Sequence, residues 1–476
     1  GLGKIADWWI PITPGSDGAL ALAILKMIIS SGRYDHEFVE KYTRGFEEFK
    51  AYLDTQTMEQ LSKWCGISVT DIEKLTDIFC STAKIPLVAY TGLEYQLSAI
   101  QNNRAIFVLW AITGKLDAPG AIYLNAKGLE TPKLFEIPED DKPIGVDEFP
   151  LFYKFSGQGQ FSRFPKAVLE DEPYPVRGLM ILGGSPVLSF PDSKSWREAY
   201  KKLDCLIVLD RYFTEDARYA DVVFPACSLF EVPKAVPGPE GPHIVEPLIE
   251  PVGESKNDVL IMGAIAKKLG FGDKLPQTEE ELRSWLLSGT APYAGDFGTS
   301  ADQKKEKHYK KYETGELRAD GKPGFPTPSG KLEICSTILE ENGFVPYPEY
   351  KDVRSIPELA GKEYPFTMTS GARSNNRMGV FGANLDKIAE IEPYPFVDIN
   401  AEDAKEIGIE DGDMVKVITP FADGTFKAKI RGIARHAIHI PHGGGSAYMA
   451  EPWKNGNVND LCSLDYADPM TGFVLI

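Results

Sequence analysis

Hydrophobic residues in the first quarter of the chain are spaced as in helices and one strand. The stretch ALALAILKMIIS at 19–30 follows Ser16 and ends just before Gly32. Because serine often caps helix starts and glycine often ends helices, this pattern predicts a core helix. Lys26 interrupts the stretch, which is also short for a membrane span. The run IPLVAYTG at 85–92 predicts a strand that leads into a helix within SAIQNNRAIFVLWAITG.

The middle of the chain alternates between nearly continuous apolar strands and short helices. Strands are predicted at 179–184 (LMILGG), 205–210 (CLIVLD) and 221–226 (DVVFPA). Ser195 and Glu198 have capping-box spacing at the start of the first intervening helix, and TEDARYA predicts a short second helix. Apolar strands connected by helices are typical of a parallel sheet covered on both faces, so the fold class is α/β.

The last part of the chain changes to short alternating runs. FVDI, MVKVIT, FKAKIRG and HAIHI are separated by turn signals such as EDGD and ADGT. This pattern predicts a compact β domain, a barrel, with one helix at AEDAKEIG. A further helix is predicted from Asn257 and Asp258 through VLIMGAIAKKLG.

Two segments interrupt these patterns. Residues 129–175 are rich in Pro, Asp and Glu and predict a long surface excursion, while 271–325 is charged and glycine-rich. Within the second segment, KKEKHYKKYE is interpreted as a solvated run, with nucleic-acid binding as the minor alternative. The whole chain has 51 basic and 69 acidic residues, a net charge of −18, which disfavours a polyanionic partner.

The six cysteines include no Cys-x-x-Cys pair, so neither a zinc site nor an iron–sulfur cluster has local support. No signal peptide is visible. The chain opens on GLGKIADWWIPITPGSD, which is typical of the middle of a domain, so a targeting segment could precede it.

Glycines and acids follow two neighbouring predicted strands. Gly183, Gly184, Ser185 and Pro186 end one strand, and Asp210 ends the next. Ligands of open parallel sheets bind beyond these carboxyl ends, where glycines let backbone N–H groups approach an anion. A carboxylate there can accept from a base or ribose. The pattern indicates a nucleotide-bearing ligand, with a plain tight turn and an Asp210 helix cap as an equally weighted alternative.

A similar arrangement occurs near the start of the chain, in PGSDGALALA. Gly15 and Ser16 lead into the first predicted helix, and Asp17 could accept two N–H donors from one edge of guanine. On its own, an ordinary first-turn acid is the stronger interpretation of Asp17.

Signatures of common catalytic machineries are missing. The sequence has no G-x-x-x-x-G-K-[ST], no H-E-x-x-H and no G-x-G-x-x-G. His442-Gly443-Gly444-Gly445 is similar to a lipase oxyanion loop, but no G-x-S-x-G accompanies it. A nucleotide-binding sheet without a nucleophile or a metal set indicates a large cofactor that carries its own chemistry.

Six motifs in order then resemble the molybdopterin oxidoreductases, of the dimethyl sulfoxide reductase, formate dehydrogenase and nitrate reductase type. They are WIPITPGSDGALALA, MILGGSPVLSFPDS, LIVLDRYFTEDARYADVVFPA, TPSGKLEI, FVDINAEDAKEIGIEDGDMVKV and HGGG…GNVNDL…ADPMTG. The resemblance implies a molybdenum or tungsten ion held by two molybdopterin guanine dinucleotides (bis-MGD). It also implies Rossmann-like cofactor-binding lobes followed by a double-psi β-barrel.

The resemblance also implies cofactor-binding positions, none of which is a metal ligand or a known catalytic residue. At the first dinucleotide these are Pro14, Gly15, Ser16 and Asp17. At the second they are Gly183, Gly184, Ser185, Pro186, Ser189, Leu209, Asp210 and Asp258. In the barrel they are Gly371, Arg373, Asn375, Asn376 and Arg377 near the pterin, and His442, Asn459 and Thr471 in the closing segments.

The sequence departs from the family pattern in two ways. PGPEGPHI has Pro242 where the family often has an arginine, which puts an anion contact in doubt. Neither the family's cysteine-rich N-terminal domain, which binds a [4Fe–4S] cluster, nor its metal-ligating residue has a match here. The chain therefore resembles the C-terminal part of such an enzyme, inactive alone, whose partners would be its own N-terminal portion and an iron–sulfur electron-transfer subunit.

The expected organisation follows from these assignments. We expect a first lobe at 1–128, an excursion at 129–175, a second lobe at 176–270, a linker at 271–360 and a barrel at 361–476. The expected role is in electron transfer and anaerobic respiration, in the cytoplasm or alternatively the periplasm. The alternatives are a non-catalytic scaffold subunit of a respiratory complex and a non-redox hydratase or lyase on the same cofactor.

Overall fold

Seven stretches of the chain are described by the computed structural model: residues 2–124, 142–236, 242–288, 308–361, 363–371, 385–449 and 451–475. Of the residues implicated above, Arg373, Asn375, Asn376 and Arg377 lie outside these stretches.

Helices packed around α1 form the first lobe. Leu22, Leu25 and Ile28 of α1 are fully buried and form the centre of its core. The elements are α1 (Asp17–Ser30), α2 (His36–Tyr42), β1 (Thr43–Arg44), α3 (Phe46–Thr55), α4 (Met58–Cys65), α5 (Val69–Ser81) and α6 (Ala99–Ile112). The two long helices predicted in this part are therefore confirmed.

Two local predictions in this lobe are wrong. Residues 84–90 take no regular structure, because no strand pairs with them among the described residues and Val88 and Tyr90 are 86% and 85% exposed. Ser16 occupies the N-cap position of α1, but its side chain makes no cap hydrogen bond and donates instead to the Thr13 carbonyl at 2.6 Å.

A parallel sheet of three strands, in the order β2-β3-β4, forms the second lobe. Its strands, β2 (Gly178–Leu182), β3 (Cys205–Asp210) and β4 (Val222–Pro225), confirm the predicted parallel sheet. The other elements of this part are α7 (Pro150–Ser156), α8 (Phe164–Glu170), α9 (Pro186–Ser189), α10 (Ser193–Lys202), β5 (Lys234–Val236), β6 (His243–Val245), α11 (Asp258–Leu269) and α12 (Glu279–Leu287).

The core of this lobe is centred on Trp196 of α10, which is fully buried. Phe164 and Val168 of α8 join the same core, so this part of the predicted surface excursion is buried. The predicted capping box is wrong: the Asp192 carboxylate, rather than Ser195 and Glu198, caps α10 by accepting from the Ser195 N–H at 3.2 Å.

A buried ion pair corrects the prediction of a solvated run before residue 314. Lys311, at the start of α13 (Lys311–Thr314), is 1% exposed, and its Nζ lies 2.5 Å from the fully buried Asp117 carboxylate. Tyr312 is also buried and stacks on Phe325. Downstream lie β7 (Leu332–Glu333), which pairs in parallel with β1, and α14 (Thr337–Glu341).

A mixed sheet of five strands, in the order β10-β11-β9-β12-β8, curls into a half-barrel in the C-terminal domain. Phe426 on β11 is fully buried at its core. The elements are β8 (Thr367–Thr369), α15 (Asp386–Ile391), β9 (Phe396–Ile399), α16 (Ala401–Ile407), β10 (Met414–Ile418), β11 (Asp423–Ile430), β12 (Ala437–His439) and α17 (Glu451–Lys454). Strands β9, β10, β11 and β12 and helix α16 lie where the alternating pattern predicts them, whereas β8 was not predicted.

Helices long and apolar enough to span a membrane are absent from the described stretches.

Candidate cofactor-binding site

The loop that follows β2 opens onto free space at the carboxyl edge of the parallel sheet. Gly183 has a left-handed backbone with φ of +59°, and a Cβ atom added there would meet no other atom within 4 Å. Its N–H donates to the Leu209 carbonyl at 2.9 Å, which continues the β2–β3 ladder. Since the Leu209 side chain is fully buried, only its backbone can face a ligand. The loop thus leaves room for close approach at Gly183.

Two carboxylates lie together at the same edge of the sheet. Asp210 ends β3 and accepts from the Tyr212 N–H at 3.0 Å. Ala226, just after β4, bridges to Lys256, and this brings the start of α11 and its Asp258 beside Asp210. The pKa of Asp258 is raised by burial and by the charge of Asp210, whereas Arg211 opposes this shift. The two half-buried carboxylates therefore repel each other. Each can accept hydrogen bonds from N–H or O–H donors of a ligand.

The Ser185 side chain is held by a residue that the sequence analysis missed. The Ser185 hydroxyl donates to the carboxylate of Asp216, which is fully buried in the short turn after β3. Burial raises the pKa of Asp216, and hydrogen bonds from Ser185, Tyr200 and Val187 act against that shift. Ser189, at the end of α9, remains exposed on the loop. The only sign of this contact in the sequence was the position of Asp216 in TEDARYA, shortly after β3.

The start of α1 is a second candidate subsite. Pro14 and Gly15 are half-buried and Ser16 is fully buried. Burial raises the pKa of the Asp17 carboxylate. Beside these residues, fully buried Asn102 of α6 has neither amide atom hydrogen-bonded to any described residue. A buried carboxamide without partners marks a place where a polar ligand group or water is expected.

Asn102 also explains why Gly18 follows the predicted subsite. A Cβ on Gly18 would lie 2.1 Å from the Asn102 side-chain oxygen, so only glycine allows α1 and α6 to approach this closely. The sequence analysis missed Asn102, although a polar residue on the buried face of an otherwise apolar helix was a usable signal.

A cavity of about 610 Å³ lies in the half-barrel and reaches the first lobe at its edge. Pro14 and Gln96 line it on the side of the first lobe, and Thr367, Thr369 and Val417 line it on the barrel side. Its size falls in the range of small-molecule sites, and its lining is largely apolar with a few polar groups.

The C-terminal candidate residues are mostly committed to internal contacts. Asn459 is 3% exposed and donates to the Leu188 carbonyl at 2.7 Å, which joins the C-terminal segment to the loop after β2. The Thr471 hydroxyl donates to buried Asp468 at 3.0 Å. His442 is half-buried after β12, and Gly371 is exposed after β8.

The glycines after His442 serve the same contact between domains. Gly444 and Gly445 both have positive φ, of +101° and +93°. A Cβ on Gly445 would lie 2.6 Å from the Asn457 Cβ and 3.0 Å from Leu188. This glycine run therefore allows the barrel to approach the second lobe closely.

The structure brings most of the described candidate residues into two groups. Gly183 to Ser189, Leu209, Asp210 and Asp258 share the carboxyl edge of the parallel sheet, with Asn459 behind them. Pro14 to Asp17 lie at the start of α1, where Pro14 lines the cavity of the half-barrel. Thr471 belongs to neither group, because its hydroxyl donates to Asp468 and its carbonyl accepts from Gln160.

Comparison with family models gives two matches that together span most of the chain. Residues 3–268 match the molybdopterin oxidoreductase family, and residues 367–474 match the molybdopterin dinucleotide-binding domain.

Curated relatives are similar over most of this chain. A probable oxidoreductase, YoaE of Bacillus subtilis, is 29% identical over 87% of the chain and 59% of its own length. The acetylene hydratase of Syntrophotalea acetylenica is 26% identical over 92% of the chain and 64% of its own length. The F420-dependent formate dehydrogenase subunit alpha of Methanocaldococcus jannaschii is 28% identical over 92% and 65%. The chain thus spans less than two thirds of the length of these relatives.

The fold is likewise shared with a solved structure. Acetylene hydratase from Pelobacter acetylenicus superposes with a TM-score of 0.81 at 23% identity, over 99% of this chain and 70% of that one. Because the first family model alone covers more than half of the sequence, the chain belongs to the molybdopterin oxidoreductase family.

Proposed function

We propose that this chain is the cofactor-binding portion of a molybdenum- or tungsten-dependent oxidoreductase and binds bis-MGD. The observation that carries the proposal is the carboxyl edge of the β2-β3-β4 sheet. There, open space at Gly183 adjoins the paired carboxylates of Asp210 and Asp258. Family membership supports the cofactor class, and the edge supplies groups of the right chemistry for its nucleotide.

The residues present fit a guanine nucleotide. One edge of guanine carries N–H donors, which a carboxylate accepts well. Asp258 supplies this group in the second lobe, and Asp17 supplies it in the first. The unpartnered amide of Asn102 beside Asp17 offers both a donor and an acceptor to the same ligand.

The proposed assignment places one dinucleotide at each lobe. Residues 14–17 with Asn102 would hold the first, and residues 183–189 with Asp210 and Asp258 would hold the second. In the barrel, to which we assign the double-psi topology of the family, the pterin-facing residues would be Gly371, Arg373, Asn375, Asn376 and Arg377. His442, Asn459 and Thr471 would belong to the closing segments that line the same cofactor.

The bound group would supply a metal that exchanges electrons with the substrate. The chain's own residues would bind and orient it: the acids accept from its bases, and Gly183 lets backbone N–H groups approach closely. No residue of this chain is assigned a catalytic role. The domain limits at 128, 175, 270 and 360 remain part of the proposal.

The partners of the chain are also part of the proposal. We propose that it works with an N-terminal portion that carries a [4Fe–4S] cluster and with an iron–sulfur electron-transfer subunit, in the cytoplasm. The name of one relative, a formate dehydrogenase subunit alpha, agrees with a multi-subunit assembly.

A hydratase is the second candidate, because acetylene hydratase is similar in both sequence and fold. A reduction assay with a redox dye on the metal-loaded complete protein separates the two. Dye-linked turnover supports the oxidoreductase, and addition of water to an unsaturated substrate without dye reduction supports the hydratase.

Cofactor binding itself is tested by one substitution. Asp258→Ala in the complete protein, expressed in a host that makes the cofactor, should lower the guanine nucleotide released per polypeptide without unfolding the chain. Glu279→Gln is the control, because Glu279 is likewise the first residue of a helix, α12, which packs against α11. Equal nucleotide content in both variants would show that Asp258 only interacts with its helix end.

A further inference from the structure

Asp216 lies directly beneath the loop that follows β2 and accepts three hydrogen bonds. One carboxylate oxygen accepts from the Val187 N–H at 3.1 Å and from the Tyr200 hydroxyl at 2.8 Å. The other accepts from the Ser185 hydroxyl. Asp216 is fully buried, so water does not compete for these bonds. Three donors converging on one carboxyl group are typical of the ionised, acceptor-only form.

Asp216, and not the N-cap residue Ser185, caps the start of α9. Ser185 precedes α9 as its N-cap residue, yet its side chain makes no cap hydrogen bond. The N–H of Val187, which a serine cap would ordinarily satisfy, bonds to Asp216 instead. The lone pairs of the Ser185 oxygen are therefore not used in capping the helix.

A hydroxyl group has one hydrogen to donate and two lone pairs to accept with. Ser185 directs its one hydrogen at Asp216, while the residue itself is half-buried next to the open space at Gly183. Toward that space, Ser185 can only accept. A phosphate oxygen, which also only accepts, is a poor partner for it.

We propose that Asp216 is a positioning residue that fixes Ser185 as a hydrogen-bond acceptor, so that Ser185 binds an O–H or N–H group of the cofactor rather than its phosphates. This inference rests on the proposed function, because it assigns a contact within the same cofactor site. The inference predicts that Ser185 contacts an O–H or N–H group of the ligand and not a phosphate, a distinction that the glycine-rich loop alone does not make.

A double-mutant cycle tests the proposal. The complete protein is purified from a cofactor-producing host, and the guanine nucleotide released on acid hydrolysis is measured per polypeptide. Ser185→Ala and Asp216→Asn should each weaken binding of the second-lobe dinucleotide about two- to twelve-fold, the equivalent of one net hydrogen bond, so the content should fall from two guanine nucleotides per polypeptide toward one. The amide introduced by Asp216→Asn would donate to Ser185 and turn its hydroxyl hydrogen toward the ligand. The double variant should therefore lose no more than Ser185→Ala alone.

Tyr200→Phe is the matched control. It removes a hydrogen bond to the same carboxylate but leaves the Ser185 contact in place, so it should lower the unfolding temperature without lowering nucleotide content. A purely structural role for Asp216 would instead lower both quantities in Asp216→Asn, whether or not Ser185 is present.

Each remaining outcome contradicts the proposal in an identifiable way. Additive losses in the double variant would mean that Asp216 does not act through Ser185. Higher content in Asp216→Asn would indicate a phosphate contact, and unchanged content in Ser185→Ala would mean that Ser185 touches no cofactor. A wild-type protein without nucleotide would refute the proposed function and this inference with it, whereas a loaded wild type with additive losses refutes the inference alone.

Discussion

Removal of the Asn459 side chain should loosen the loop after β2 from the barrel. Its amide donates to the Leu188 carbonyl at 2.7 Å, and both residues are buried, at 3% and 0% exposure. Asn459→Ala leaves that carbonyl without a partner and out of reach of water. An unsatisfied buried group costs about 1–3 kcal/mol. Since each 1.36 kcal/mol is a factor of ten, local opening should become about 5- to 150-fold more frequent.

Amide hydrogen exchange measures this opening directly. The N–H groups of Ser189 and Phe190 bond within α9, to the carbonyls of Ser185 and Pro186. Their exchange should accelerate by the factor above, while exchange in α1 should stay unchanged.

A surface residue provides the matched control. Asn342 donates from the same amide nitrogen to the Ile338 carbonyl, also at 2.7 Å, but this bond is exposed. Asn342→Ala should change the free energy of opening of α14 by less than about 0.5 kcal/mol, because water replaces the lost donor. Equal effects of the two substitutions would refute the view that burial makes the Asn459 contact important.

Three further predictions concern the site and its support. Gly183→Ala and Gly343→Ala place a methyl group on equally open, left-handed backbone, with φ of +59° and +76°. Each should cost about 1–2 kcal/mol in denaturant unfolding, but only Gly183→Ala should lower nucleotide content. Lys311→Met should cost about 3–5 kcal/mol by stranding the charge of Asp117, and adding Asp117→Asn should recover much of that loss in urea titrations. Nucleotide retention should decline on acidification through the raised pKa of Asp258, and Asp258→Asn should remove that dependence in a pH series of filtration assays.

The sign of the Asp258 effect follows from proton linkage. Its pKa is raised in the folded, cofactor-free chain, so folding favours the protonated form. The free energy of unfolding of this form should fall as the pH rises from the ordinary aspartate range through the raised pKa. Bound N–H donors favour the carboxylate, so cofactor binding has the opposite pH dependence. The difference in unfolding free energy between the cofactor-free wild type and Asp258→Asn isolates this contribution, and a difference that grows in favour of the wild type with rising pH over this window would contradict the assignment.

Elements with a strong pattern of their own could be predicted from the sequence. The three strands of the parallel sheet are short unbroken apolar runs, and α1 is a long one. The run at 85–92 has the same composition but no neighbouring strand among the described residues, and a pattern within one segment cannot reveal its partner. The burial of Lys311 could not be predicted for a related reason, because its ion-pair partner Asp117 is 194 positions away in sequence.

The candidate site residues likewise include some that the sequence could predict and some that it could not. Gly183, Asp210 and Asp258 come at the ends of strands or the start of a helix, where the geometry of a parallel sheet brings them together. Asp216 and Asn102 occupy no such position. Their importance comes from burial against Ser185 and Gly18, which only the packed structure shows.

Quantification of metal and guanine nucleotide in the purified complete protein tests the central claim most directly. Our account predicts one molybdenum or tungsten ion and two guanine nucleotides per polypeptide, the ratio that defines the bis form. A protein from a cofactor-producing host that carries neither metal nor nucleotide would contradict it.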